Sequence, residues 1–302
     1  MYTHLSIIIL VSALLFGCAS NDSTSQNYKH MGNLLLAEPT PMSERSQMAI
    51  ARYTHILGTA ELDDEQKAQL FHQRGTLYDS VGLSGLAQYD FNQAIRLKPD
   101  LAEAYNSMGV HYTQQMNFIQ AYEAFDATLD INPEMEFAFL NRGIALYYGG
   151  RPDLAARDLG TFYNRNASDP YRALWRFLAS SEVDKSKAML ELAQQRKNLD
   201  QQNWATKLVD LFLEETTEGE LLSALISGVT SQQQLTDRLC EAYFYLGKYH
   251  SARGNNGVAS NYFKLALSTN VFEYVEHRYA RLELNLLRDE ASKSAKTATQ
   301  TQ

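Results

Sequence analysis

Two cysteines, Cys18 and Cys240, are all that 302 residues contain, so disulfide bonding can contribute little to this fold. Basic residues are outnumbered, 27 Lys and Arg against 35 Asp and Glu, for a formal net charge of −8. That balance argues against a nucleic-acid partner and against adhesion to anionic headgroups by charge. The main apolar run, Leu5–Phe16, is shorter than the roughly 20 residues a spanning helix needs. Signatures of catalysis are missing as well. The histidines, at 4, 30, 55, 72, 111, 250 and 277, are scattered. There is no His-Glu-x-x-His pair, no pair of Cys or His at metal-ligand spacing, no Gly-x-Ser-x-Gly, and no Gly-rich loop carrying a phosphate-binding Lys. The sequence therefore reads as a protein that is not an enzyme, with no cofactor and no metal.

What is present begins at the N-terminus. Leu5–Phe16 has the length of a signal-peptide core, and it ends in Leu15-Phe16-Gly17-Cys18. That ending resembles the bacterial lipobox. The resemblance implies cleavage after residue 17, a diacylglycerol on the Cys18 thiol and acylation of the new amino group. Several acyl chains give stable anchoring where one is marginal. Ala19, where an Asp would retain a lipoprotein in the inner membrane, implies the periplasmic face of the outer membrane. Residues 1–17 carry no Asp, Glu, Lys or Arg, so the mature chain keeps its charge of −8. With Cys18 lipidated, Cys240 stands alone and no intrachain disulfide remains. The stretch 19–30 is rich in Ser and Asn, and Pro39 and Pro41 disfavour helix before about residue 42. Residues 18–42 are read as a lipidated tether.

Beyond it lies a repeat. Gly75, Gly109 and Gly143 recur every 34 residues. The first unit reads Phe71, Arg74, Gly75, Tyr78, Ala87, Phe91, Ala94, Pro99, and the second Tyr105, Met108, Gly109, Tyr112, Ala121, Phe125, Thr128, Pro133. The third reads Phe139, Arg142, Gly143, Leu146, Ala155, Leu159, Phe162, with its proline displaced to Pro170. This is similar to the tetratricopeptide pattern of paired helices A and B. The Gly and the first Ala lie where the two helices cross, and Pro99 and Pro133 end helix B. One pair cannot bury its own apolar face, so neighbours must stack.

A fourth copy reads Tyr243, Leu246, Gly247, Ala259, Phe263 and Ala266. Between the third and fourth copies, 171–181, 185–195, 204–213 and 220–227 keep helical periodicity but lose the repeat signature. Helices near 43–57 and 272–287 flank the array and cap its ends or contribute to a dimer. The expectation is an all-α solenoid over 43–288, with repeats near 68–101, 102–135, 136–169 and 240–273, irregular helix pairs in the middle, and a disordered tail from 289 to 302.

Several polar clusters have ordinary readings. Asp63-Asp64-Glu65 is read as a helix start, where acids complement the dipole. Glu276-His277-Arg278-Tyr279 point in different directions on one helix, which gives a packing face rather than a catalytic constellation. Tyr147-Tyr148-Gly149-Gly150 is read as core packing and a turn. In tetratricopeptide arrays helix A lines the concave groove. The register places Gln69, His72, Thr76 and Asp79 there in unit one, and Glu103, Asn106, Val110 and Thr113 in unit two. In unit three it places Phe137, Leu140, Ile144 and Tyr147. With no Lys or Arg among these, a clamp for a peptide carboxylate is not expected. His72, Asn106, Phe137, Leu140, Ile144 and Tyr147 are the candidate partner-binding residues, and unit three suits an apolar or mixed helical partner.

Longer runs carry a closer resemblance. Phe71–Asp79, Ala121–Asp126, Leu140–Gly150, Tyr245–Tyr249 and Val275–Ala280 together look like the outer-membrane lipoprotein NlpI family, least so over 181–240. The family resemblance implies a homodimeric adaptor. It would bind a periplasmic tail-specific protease, deliver a murein endopeptidase to it, and scaffold other peptidoglycan enzymes. The alternative is a structural assembly factor of an outer-membrane or secretion complex. A lytic transglycosylase would need a catalytic Glu in a sugar-binding cleft, for which no motif is present.

Overall fold

The computed structural model describes residues 35–36 and 38–300. The signal segment, Cys18 and most of the proposed tether lie outside the described residues. Among the described residues the regular elements are fourteen α-helices and one 3-10 turn, with no strand. None of these helices is long and apolar enough to cross a membrane.

Local sequence starts the helices cleanly. Ser43 caps α1 (Glu44–Thr59) by accepting from the Ser46 N–H. Asp63 opens α2 (Asp64–Ser80) with a reciprocal box: its carboxylate accepts from Gln66 N–H and its own N–H donates to the Gln66 side chain. The acids at 63–65 are thus a helix start. Three antiparallel pairs then follow: α2 with α3 (Ser84–Leu97), α4 (Ala102–Gln114) with α5 (Phe118–Ile131), and α6 (Glu136–Tyr148) with α7 (Pro152–Arg165).

The 34-residue rhythm has a direct steric cause. A Cβ built on Gly75 would stand 2.7 Å from the Phe91 ring, and one on Gly109 2.6 Å from Phe125. On Gly143 it would stand 2.6 Å from Leu159. In each pair the large helix B side chain lies flat on the glycine backbone, which fixes how closely the two helices approach. Gly247 meets Phe263 in the same way, at 2.5 Å. That contact assigns α12 (Gln232–Ser251) and α13 (Asn256–Ser268) as the fourth pair. The helix begins earlier than the repeat register near 240 suggests, with Ser231 as its cap.

Between the third and fourth pairs run α8 (Pro170–Val183), α9 (Lys185–Gln195), the 3-10 turn Arg196–Asn198, α10 (Thr206–Phe212) and α11 (Glu218–Ile226). Asp184 alone joins α8 to α9, ending one and capping the other. The last helix, α14 (Val275–Gln300), runs on through the stretch that the sequence reads as a disordered tail from 289. No Gly or Pro follows Gly257 to stop it, and Ala291, Ala295 and Ala298 are strong helix formers.

The array also folds back on itself. Arg278 of α14 pairs with Asp79 of α2 at 2.8 Å. The Phe272 ring fills the space beside Gly82, whose φ of +79° makes the α2–α3 turn. Trp175 of α8 packs on Phe244 of α12 and on Tyr279 of α14. Just before α1, Thr40 N–H donates to Thr269 O at 2.8 Å and Glu38 O accepts from Thr236. The segment just before α1 is therefore bonded to the C-terminal repeat.

Candidate functional site

The inner face of the first three pairs is the expected partner groove, and half of it is already filled. Glu283 of α14 accepts from Tyr148 Oη at 2.7 Å and from Lys248 Nζ. Lys248 Nζ also donates to Tyr147 Oη at 2.8 Å. Burial works against the Lys248 charge, but Glu283 and Tyr147 outweigh it and hold the ammonium above its ordinary pKa. Tyr279 lies against Tyr148 with ring centroids 5.5 Å apart. Near α2, burial works to raise the Asp79 carboxyl, yet His111, 3.2 Å away, and Arg278 keep it below its ordinary value. The downstream halves of α2, α4 and α6 are thus committed to α12 and α14.

The four residues 276–279 show how α14 is held. Glu276 accepts from Tyr245 Oη at 3.1 Å, and His277 Nε2 donates to Leu267 O at 3.1 Å. Arg278 meets Asp79, and Tyr279 packs on Tyr148 and Trp175. They point in different directions, as their spacing implies, and each ties α14 to a different element.

The six sequence candidates separate accordingly. Leu140 and Ile144 are 6% and 0% exposed, so they are core residues and not a docking face. On the same helix, α12 and α14 reach Tyr147 and Tyr148. Tyr147 is held by Lys248. Of the other three, Asn106 and Phe137 lie in the upstream halves of α4 and α6 and His72 at the middle of α2. Phe137 is 57% exposed and leans on Phe162. Asn106 is half-buried and accepts from Asn141 at 3.1 Å. His72 is half-buried, 3.5 Å from Ser107 and tilted against the Phe91 ring; burial lowers its pKa. These three share the helix A row with exposed Gln69 and Glu103, and the row runs from polar to apolar.

Tyr147 leads to a second opening. A cavity of about 330 Å³ lies between α8, α9, α10 and the end of α12. Its apolar wall is Phe177, Leu178, Met189 and Phe212; Lys185, Glu182, Glu214 and Arg253 border it, with Lys248 among the lining residues. The sequence reading missed this pocket because its walls come from the stretch with least repeat character. One signal was available. Lys248 is the single charge in the run Tyr243–Tyr249, and Glu283 sits between two leucines, a pattern that marks a buried ion pair.

Among the described residues no group of three His, Cys, Asp or Glu is placed to hold a metal ion. Cys240 is buried, and burial raises its thiol pKa well above the ordinary value.

No family model matches the chain. Among solved structures it is similar to a tetratricopeptide repeat protein from Parabacteroides merdae ATCC 43184, at 20% identity over 81% of this chain and 78% of that one, with a TM-score of 0.47. It is similar to YrrB, described as a TPR protein with an unusual peptide-binding site, at 16% identity over 76% of this chain and 97% of YrrB, TM-score 0.42. PilF of Pseudomonas aeruginosa matches at 16% identity over 73% of this chain and 99% of its own, TM-score 0.43. The chain's own helix pairs and their glycine contacts make it a tetratricopeptide-type α-solenoid, an architecture suited to binding proteins.

Proposed function

We propose that this chain is a lipid-anchored adaptor at the periplasmic face of the outer membrane, joined to the membrane through Cys18. In this reading it binds a periplasmic processing protease and peptidoglycan hydrolases, notably a murein endopeptidase, promoting regulated proteolysis of the latter. The mechanism is proximity. Two clients held on one scaffold meet at an effective concentration set by geometry, with no chemistry supplied by the scaffold. The observation that carries the reading is the pair of separate surfaces, the His72–Asn106–Phe137 row and the Tyr147–Phe212 pocket, on one stacked array. The partner identities rest on the resemblance of residues 15–18 to a lipobox and of the longer runs to the NlpI family.

A homodimer belongs to the proposal. No residue of α1 is fully buried, and Met48 is 67% exposed, so this helix keeps apolar surface for a second copy.

Photo-crosslinking in living cells from residues 137 and 189 tests the reading. A processing protease and a wall hydrolase should be recovered, and Cys18→Ala should release the protein from membranes. Recovery of barrel-assembly or secretin subunits instead would replace the adaptor with an assembly factor.

A further inference from the structure

The outer face of the third repeat carries a feature that neither the groove nor the pocket uses. A cleft of about 330 Å³ runs between α5, the end of α6 and α7. Tyr122, Leu146 and Leu154 give it an apolar floor. Arg142 borders it but is consumed, 2.8 Å from Asp126 and 2.6 Å from Asp158. Arg151 and Arg157 are different. Both are exposed, and neither guanidinium meets a carboxylate among the described residues. Arg151 lies over the Tyr122 ring at 4.7 Å, which holds it in place while leaving its N–H groups free. Arg157 also borders a second cleft, of about 230 Å³, toward α8 and α9.

The repeat supplies an internal comparison. One period upstream, Arg151 and Arg157 correspond to Asn117 and Glu123, and a further period upstream to Leu83 and Tyr89. The positions that fix helix packing persist from unit to unit, so this outward pair is not required by the fold.

We propose that this cleft is a docking site for an acidic segment of a partner protein, an Asp or Glu next to an apolar side chain. The carboxylate bridges Arg151 and Arg157, and the neighbouring side chain lies on Leu154 and Tyr122. Paired guanidinium forks suit a carboxylate in geometry as well as charge. A chain of net charge −8 repels acidic ligands at long range, and screening beyond about 8 Å at physiological salt removes most of that repulsion. The two arginines therefore select at contact rather than steer from a distance. The site lies apart from both openings described above, so it stands or falls independently of the adaptor reading.

The test is selection of random twelve-residue peptides on the full chain held in detergent, followed by binding of the recovered peptides to variants. Recovered peptides should be enriched in Asp or Glu beside an apolar residue. R151A/R157A should weaken them roughly a hundred-fold, about ten-fold for each arginine. R151K/R157K should fall between, and amide replacements in the peptide should lose the same binding. All variants should melt as the parent does. A selection without acidic enrichment, an empty selection, or peptides that bind R151A/R157A unchanged would overturn the proposal. So would sedimentation showing that R151A/R157A dissociates a dimer, because the cleft would then be an interface between copies.

Discussion

The first three repeats and the C-terminal third are both helical, yet they are held together by different physics. From α2 to α7 the deciding contacts are local and apolar, a glycine against the large side chain of the partner helix. Units one and three add a bidentate ion pair across the same helices, Arg74 with Asp90 at 2.7 Å and Arg142 with Asp158 at 2.6 Å. Unit two places Met108 and Ala124 at those positions, so the pair is an addition and not a condition of the fold. From α12 to α14 the fourth pair keeps that glycine contact, Gly247 against Phe263, and long-range polar contacts are added, with Lys248, Glu276 and Glu283 buried between helices. The lesson is that short-period contacts build the solenoid, and a few buried charges fix where it closes.

The largest expected effect lies in the closing network. Glu283→Ala leaves the Lys248 ammonium buried without its partner, and should lower unfolding free energy by about 3–5 kcal/mol in urea titrations. The apolar pair Lys248→Met with Glu283→Leu should restore most of that loss. If the single variant costs nothing, the network does not close the array.

Two glycines sharpen the local side of the comparison. Gly109→Val pushes a side chain into the Phe125 ring and should cost about 1–3 kcal/mol or more. Gly160, on α7, has open space where a Cβ would stand, so Gly160→Ala should stabilise by about 0.5–1 kcal/mol. Equal effects from the two would refute the steric account of the 34-residue spacing.

Acidity probes the joint between α8, α12 and α14. Burial raises the pKa of both Glu241 and Glu276; the charge of Glu276 raises that of Glu241 further, and the charge of Asp169 that of Glu276. Tyr171 and Tyr245 bond to them and partly offset the effect. Because the folded chain holds these protons more tightly than the unfolded one, their contribution is full below pH 4.5 and is lost as pH rises through neutrality. Glu241→Gln with Glu276→Gln should therefore gain stability over the parent as pH rises, on the order of 1–2 kcal/mol at pH 8. Thermal melts across pH 5–9 would read the divergence, and parallel curves would contradict it. The smallest effect belongs to the exposed pair Glu134–Arg165, where Glu134→Gln should stay within about 0.5 kcal/mol.

The same division explains what could be read in advance. The repeats were legible because each glycine and its opposing side chain recur at fixed spacing, and helix caps such as Asp63 and Ser43 are local. Even the degenerate middle gave its helices, since periodicity survives without the repeat signature. The groove was half legible. Register put Leu140, Ile144 and Tyr147 on one row, but nothing local announces that the first two are buried or that Lys248, about a hundred residues later, holds the third. The arginine pair at 151 and 157 is ordinary in sequence, and its meaning depends on which cations find carboxylates in space.

The central claim is that α14 closes the inner face as part of the native fold. Hydrogen exchange followed by mass spectrometry on the intact chain measures this directly. Amides of 276–287 should exchange as slowly as those of α4 and α6. Exchange as fast as in α1, while α4 and α6 remain protected, would show that the groove is open and contradict the account.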